Sequence, residues 1–149
     1  MPVEKSAGTL IFRKEEGKIY YLLLHYPPSS KAKKDYWDFA KGHIEKGESE
    51  IETAGREVFE ETGLKNPVFL ENFKEKNEYF FKFQGKTVFK TVVFYLAETK
   101  VEEVKLSHEH IDFKWLAFEK ALNQLTFANS KEILKKANGF LLKRKCDNK

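Results

Sequence analysis

A single amphipathic helix with strand-like runs on both sides is the feature that most limits how this chain can fold. Segment 49–62 carries apolar side chains at helical spacing, and Gly63 follows it as a helix C-cap. We predict that Ile51, Ala54 and Val58 form the apolar face of this helix. Because the runs before and after it are typical of strands, the chain is predicted to be a mixed α/β protein.

The remaining elements are predicted from alternation, apolar runs and turn residues. Strands are predicted at 7–13, 19–25, 36–39, 68–73, 79–83, 87–98 and 111–116, and helices at 118–125 and 129–137. Hairpin turns at Gly17 and Gly85 join neighbouring strands, and Gly139 is predicted to end the last helix. The polar segment 27–34 is a candidate loop at the rim of a substrate site. Because no linker or repeat interrupts this pattern, we expect one domain over residues 1–149.

Composition excludes several classes of protein. With 15% aromatic residues, a chain of 149 residues needs a folded interior, which argues against disorder. No apolar run approaches the roughly 18 residues that cross a bilayer, and no secretory signal opens the chain, so we expect a cytoplasmic protein without membrane contact. The single cysteine, Cys146, excludes an internal disulfide and a cysteine-ligated zinc site. The formal charge of +4 mildly favours a polyanionic partner.

Three glutamates on the predicted helix suggest a metal site. Glu57, Glu60 and Glu61 are spaced i, i+3 and i+4, which places their carboxylates along one stripe of a helix. Like charges at this spacing destabilise a helix unless a cation neutralises them, and Mg²⁺ and Mn²⁺ prefer hard oxygen ligands. A solvated acidic face is the alternative interpretation of the spacing alone.

The segment before the helix is predicted to be a phosphate-binding loop. Gly42 and Gly47 lack side chains, so the backbone can approach a ligand closely. Lys41 and Lys46 supply positive charge for phosphate oxygens. As with the glutamates, solvated surface lysines are the alternative interpretation.

Segment 42–64 resembles the signature of the Nudix hydrolase family. That signature is Gly, five residues of any type, Glu, seven of any type, and Arg-Glu-U-x-Glu-Glu-x-Gly-U, where U is a bulky aliphatic residue. Every specified position is met, by Gly42, Glu48, Arg56, Glu57, Val58, Glu60, Glu61, Gly63 and Leu64. The resemblance implies an α/β/α sandwich around a mixed sheet, and hydrolysis of nucleoside diphosphates that are linked to another group.

The resemblance also implies the parts of a metal-dependent hydrolase. The metal ligands it implies are Glu57, Glu60, Glu61 and the backbone carbonyl of Gly42, and the cofactor is Mg²⁺ or Mn²⁺. Arg56 and Glu48 are expected to hold loop and helix together by ion pairing, with Arg56 counted among the catalytic groups. The general base stays open between Glu57, Glu60 and a glutamate outside the signature, because spacing does not distinguish them.

A second stretch resembles one branch of the family, the asymmetrical diadenosine tetraphosphate hydrolases. It runs from the sequence KTVVFYLAE, which begins at Lys90, through Leu-Ser-His-Glu-His at 106–110 to Trp115. This resemblance implies that Glu109 is a further metal ligand or the general base. Taken by itself, the His-Glu-His sequence is equally typical of a polar turn before a strand.

The same branch implies the substrate contacts. Phosphate contacts are implied for Lys41, His43 and Lys90, and stacking on adenine is implied for Tyr79 and Phe127. Tyr36 stands where animal members of the branch have a histidine, and Ala40 stands where proline is usual. Solvated lysines and core aromatics are the structural alternatives for these residues.

We therefore predict a metal-dependent pyrophosphohydrolase that cleaves diadenosine tetraphosphate to ATP and AMP by attack of water on phosphorus. The expected partner is this small dinucleoside polyphosphate, and we expect a monomer. Two alternatives remain at this point. One is a Nudix hydrolase for other nucleoside polyphosphates or for RNA 5′ ends, and the other is a non-catalytic nucleotide- or RNA-binding module.

Overall fold

The computed structural model describes residues 1–29 and 32–147. The strands are β1 (Val3–Glu15), β2 (Lys18–Tyr26), β3 (Tyr36–Asp38), β4 (Ala40–His43), β5 (Val68–Phe69), β6 (Glu75–Phe83), β7 (Lys86–Glu98) and β8 (Asp112–Leu116). The helices are α1 (Glu50–Thr62), α2 (Phe118–Gln124) and α3 (Ala128–Asp147). The predicted loop 27–34 lies partly outside the described residues, and so does the side chain of Cys146.

The strands of the described residues form one mixed sheet built around β1 and β7. These two long strands pair in parallel, from Val3 opposite Phe89 to Phe12 opposite Glu98, and α1 lies in the connection between them. The other strand pairings in this part of the chain are antiparallel. Because β1 is 13 residues long, it pairs with β4 along its first half and with β2 along its second.

Alternating side chains of the sheet build a core on each face. Leu10 and Phe12 of β1 pack on one side with α2 and α3, where Leu134 is buried. Ile11 points to the opposite side and packs with Val58 of α1. Helices therefore cover both faces of a mixed sheet, which confirms the predicted α/β/α sandwich. No helix in the described residues is long and apolar enough to cross a membrane.

The caps of α1 confirm its predicted bounds. Ser49 and Glu52 form a capping box, and Gly63 at φ 72° donates its N–H to the carbonyl of Phe59 at 2.9 Å. The prediction for Ile51 is wrong, because this side chain is 46% exposed. Ile51 lies in the first turn, and burial on this helix begins only at Thr53.

Three other predictions about elements are wrong. Predicted strand 68–73 is limited to Val68–Phe69, because the chain turns at Asn72, where φ is 69°. The last helix continues through Gly139, since the turn that follows packs Leu141 into the core and offsets the roughly 1 kcal/mol that a helical glycine costs. Residues 41–43 belong to β4 rather than to a loop, because they pair with β1, where Gly42 lies opposite Ala7.

Candidate active site

Two glutamates of α1, the buried Glu61 and the half-buried Glu57, face strand β4. Gly42 lies so close to the Glu57 carboxylate that a Cβ at residue 42 would overlap it. Glu61 is 4% exposed, and its Oε1 accepts the backbone N–H of Lys41 at 3.2 Å. Its Oε2 lies 3.2 Å from the Tyr26 hydroxyl and 2.8 Å from His110 Nε2. The glycine of the signature therefore serves close packing of β4 against the helix carboxylates.

Glu57 and Glu61 interact strongly with each other. Burial, followed by the neighbouring Glu61 carboxylate, raises the pKa of Glu57 to about 7. The contact with Arg56 lowers this pKa, but by less than Glu61 raises it. A proton therefore partly replaces a counter-ion between the two carboxylates. Two neighbouring carboxylates with a surplus negative charge, beside the Gly42 backbone, fit a hard divalent cation.

Arg56 connects the loop before α1 to the helix. Its guanidinium donates to Glu48 at 2.7 and 3.0 Å, to Glu57 at 2.7 Å and to Glu60 at 3.0 Å. It also donates to the backbone carbonyl of His43 at 3.0 Å. The hydrogen bond from Arg56 is the main reason that the pKa of Glu48 falls to about 2. The ion pair that the family resemblance implies is therefore present, and Arg56 also orients Glu57.

The other two predicted metal ligands lie at the margin of this group. The side chain of Glu60 is 54% exposed, and Glu109 is exposed in the turn before β8. Within the described residues, no group of three His, Cys, Asp or Glu side chains is close enough to hold a metal ion in its present arrangement. The structure thus brings Glu57, Glu61 and Gly42 together. Glu60 and Glu109 are exposed and are not part of this close group.

A small cavity of about 170 Å³ lies beside β4 and contains three of the predicted substrate residues. The cavity is lined by Asp38, Lys41, Asn77, Tyr79, Val92, Phe94, Phe127, Asn129 and Ser130. A larger cavity of about 610 Å³ lies between the β1–β2 hairpin and α3, and none of its lining residues belongs to the predicted site. The smaller cavity is therefore the candidate substrate pocket, because its lining residue Lys41 also contacts Glu61.

Lys41 reaches this pocket as one half of a buried ion pair. Its Nζ lies 2.9 Å from Asp38 Oδ2, and Asp38 Oδ1 accepts the N–H of Phe39 at 2.8 Å and the hydroxyl of Ser130 at 2.9 Å. Burial alone would lower the pKa of Lys41, but Asp38 and Tyr79 raise it above its ordinary range. Lys41 is therefore charged, with most of its charge compensated inside the protein.

A row of rings joins the Glu61 end of the site to the pocket. Tyr26 packs edge-on against His110 at 4.6 Å and stacks on Tyr36 at 4.8 Å. Tyr36 in turn contacts Phe127 at 5.3 Å between ring centroids. Tyr36 thus lies between the pocket and the Glu61 end of the site, although it does not line the cavity itself.

The two remaining predicted phosphate contacts lie outside the pocket lining. His43 is exposed at the end of β4, and its Nδ1 is 3.5 Å from the Ser6 hydroxyl. Lys90 lies opposite Tyr79 in the β6–β7 register, with its Nζ 3.9 Å from Glu4 Oε2. The structure therefore does not place His43 and Lys90 together with Lys41 in the pocket lining.

Tyr26, Asp38 and His110 contact residues of the site, although the sequence pattern does not predict a role for them. Tyr26 carries no sequence signal, since an aromatic residue at a strand end is ordinary. Asp38 stands between two aromatic residues in a short strand, and a charged residue there was a usable signal of a buried ion pair. His110 belongs to the His-Glu-His sequence, whose role was assigned to Glu109 alone.

Known proteins resemble this chain over most of its length. The family model of the NUDIX domain matches residues 3–137. The asymmetrical bis(5′-nucleosyl)-tetraphosphatase of Caenorhabditis elegans is 35% identical over 142 residues, covering 93% of this chain and 97% of the relative. The corresponding protein of Mus musculus is 32% identical over 147 residues, covering 92% and 95%.

A solved structure shows the same fold. The crystal structure of a binary complex of the C. elegans Ap4A hydrolase superposes with a TM-score of 0.80 at 35% identity, covering 93% of this chain and 98% of that chain. The family model and both relatives thus span almost the whole chain. The chain therefore belongs to the Nudix family and is a hydrolase closely related to the asymmetrical bis(5′-nucleosyl)-tetraphosphatases.

Proposed function

We propose that this Nudix hydrolase cleaves diadenosine tetraphosphate asymmetrically, to ATP and AMP. The observation that carries the proposal is the placement of Lys41. Its backbone N–H binds Glu61 in the acidic group, while its side chain lines the aromatic pocket. A nucleotide whose base occupies the pocket would therefore have its phosphate chain beside the glutamates that bind the cation.

We propose Glu57, Glu61 and the Gly42 carbonyl as the main holders of Mg²⁺ or Mn²⁺, with Glu60 and Glu109 completing the site. A bound divalent cation supplies charge neutralisation at the phosphate oxygens, which otherwise repel an attacking water. Arg56 holds Glu57 in place through its 2.7 Å hydrogen bond. One carboxylate accepts the proton of the water, and Glu60 and Glu109 are suited to this because they are exposed.

The pocket suits one nucleobase rather than a whole dinucleotide. Its volume of about 170 Å³ lies well below the several hundred Å³ of a site for a complete ligand of that size. Tyr79 and Phe127 are the aromatic side chains proposed to stack on the base, and such stacking contributes about 1–3 kcal/mol. His43 and Lys90 are proposed to meet phosphates outside the pocket. The second nucleoside would then extend into solvent.

The test is a product analysis in ¹⁸O-labelled water with Mg²⁺. We expect diadenosine tetraphosphate to yield ATP and AMP, with the label in one product only, which identifies the phosphorus attacked. Hydrolysis of nucleoside triphosphates or RNA 5′ triphosphates, with no turnover of the dinucleotide, would overturn the substrate and keep the hydrolase. Parallel assays with Mn²⁺ in place of Mg²⁺ show which cation supports the faster reaction.

A further inference from the structure

Segment 105–110, which precedes β8, is anchored to the C-terminal end of α1. The N–H of Lys105 donates to the carbonyl of Thr62 at 2.8 Å, and the N–H of Ser107 donates to the carbonyl of Glu61 at 3.2 Å. His110 adds a side-chain contact, with Nε2 2.8 Å from Glu61 Oε2. Both the backbone and the carboxylate of Glu61 therefore touch this segment.

Each ring nitrogen of His110 faces one neighbouring side chain, Ser107 or Glu61. The ring is 1% exposed, and its Nδ1 lies 3.0 Å from the Ser107 hydroxyl. That hydroxyl oxygen accepts the N–H of Glu109 at 3.3 Å, so its own proton is available to Nδ1. We assign the ring proton to Nε2, which lies 2.8 Å from the Glu61 carboxylate but outside hydrogen-bond geometry.

We propose that His110 is a positioning residue of the metal site. His110 Nε2 contacts Glu61 Oε2 at 2.8 Å, and the Tyr26 hydroxyl donates to the same oxygen at 3.2 Å, so both groups keep Oε2 on the side of segment 105–110. Oε1 then remains on the side of Lys41. Without these contacts, repulsion from Glu57 would turn a buried carboxylate away from the cation.

His110 has a second effect through its neighbour. Glu109 precedes it directly, so the contact that holds His110 against Glu61 also fixes the backbone from which Glu109 extends. His110 itself does not line the pocket. The inference rests on the metal site of the proposed function, but it is independent of which substrate is cleaved.

The experiment compares His110→Gln and His110→Phe with the wild type. Binding of Mn²⁺ without substrate is followed by the electron paramagnetic resonance signal of the free ion, and kcat and KM are measured separately. We expect His110→Phe to weaken Mn²⁺ binding at least about tenfold, as is usual for groups that orient metal ligands. His110→Gln should recover most of the affinity, because its amide nitrogen reaches the position of Nε2. The loss should appear in kcat more than in KM.

Two controls separate positioning from general destabilisation. His108→Phe changes an exposed histidine of the same segment and should leave Mn²⁺ binding unchanged. Ser107→Ala removes the partner of Nδ1 but keeps the ring, so we expect an intermediate loss even if His110→Phe does not fold. In metal-free protein, hydrogen exchange at the Lys105 and Ser107 amides should accelerate in His110→Phe and Ser107→Ala.

The outcomes distinguish the two proposals. Normal Mn²⁺ affinity in a folded His110→Phe, or in Ser107→Ala if the former does not fold, would overturn the positioning role. Equal losses in His110→Gln and His110→Phe would overturn it as well, since packing alone would then explain the effect. A wild-type protein that binds Mn²⁺ and shows these differences, yet does not cleave diadenosine tetraphosphate, would overturn only the proposed substrate.

Discussion

The two sides of strand β4 differ in how their charged side chains are paired. On the α1 side, Glu57 and Glu61 place two carboxylates together with a surplus negative charge. On the pocket side, Asp38 and Lys41 neutralise each other at 2.9 Å. The charges of the two carboxylates are therefore not compensated within the pair, whereas the charges of Asp38 and Lys41 are. This difference predicts that chemistry depends on the metal, while folding of the pocket and binding of the base do not.

The largest expected effect comes from removing one charge on the acidic side. Glu57→Gln should lower kcat by about 10³-fold, which corresponds to about 4 kcal/mol of transition-state stabilisation. Because the pocket does not depend on this charge, AMP binding should stay within about twofold of the wild type. Steady-state kinetics and calorimetry with AMP test both statements, with the exposed Glu71→Gln as control. A parallel loss of AMP binding would show that the two sides are not independent.

Removing one charge on the pocket side should affect stability most. Asp38→Ala leaves the Lys41 ammonium buried without its counter-ion, so we expect the free energy of unfolding to fall by about 3 kcal/mol. Asp35→Ala is the matched control, because Asp35 contacts His25 at the surface, where loss of such a contact should change stability little. Urea denaturation without metal measures both. Equal losses in the two variants would contradict the idea of a buried, self-compensated pair.

A smaller effect is expected from the aromatic wall of the pocket. Tyr79→Ala should raise KM about tenfold, since stacking on a base contributes about 1–3 kcal/mol, and kcat should change little. Phe80→Ala is the control, because this neighbour on β6 lies on the opposite face and is 62% exposed. Steady-state kinetics with diadenosine tetraphosphate distinguish the two variants. A large fall in kcat with unchanged KM would place Tyr79 outside the base site.

The smallest expected effect is a dependence of metal-free stability on pH. The pKa of Glu57 is raised from an ordinary 4.5 to about 7 in the fold, so the folded protein keeps a proton that the unfolded chain releases. This contribution is complete below about pH 4.5 and is lost as pH rises to about 7. Because Glu57 is only half-buried, solvent screening reduces this contribution to about 1 kcal/mol, so we expect the Tm without metal to be about 3 °C lower at pH 8 than at pH 5.5.

Two comparisons isolate that contribution. Glu57→Gln should remove it, so the difference between the wild type and this variant gives the effect of Glu57 alone. Added Mg²⁺ should reverse the trend, because the cation competes with the proton and binds better as pH rises towards 7. The lowered pKa of Glu48 acts below about pH 4.5 and does not enter this window. A wild-type protein with the same pH profile as Glu57→Gln would contradict the shared proton.

Sequence was sufficient for features that depend on neighbours along the chain. The bounds of α1 follow from Ser49, Gly63 and helical spacing, and the structure confirms them. The hairpin turns at Gly17 and Gly85 are also local, because positive φ angles of 80° and 76° at these positions favour glycine. The continuation of α3 through Gly139 was not predictable in this way, since it depends on packing of Leu141 in the core.

The same distinction between local sequence and tertiary packing applies to the candidate site. The sequence by itself determined the residue types of the acidic group, because Arg56, Glu57 and Glu61 lie within two turns of one helix. Only the tertiary structure decided that Glu61 is buried while its neighbour Glu60 is half exposed, because that depends on what covers each side of the helix. The contacts of Glu61 with His110 and of Asp38 with Ser130 join residues 49 and 92 positions apart. Such pairs form only when the strands and helices are packed together, so no local pattern in the sequence encodes them.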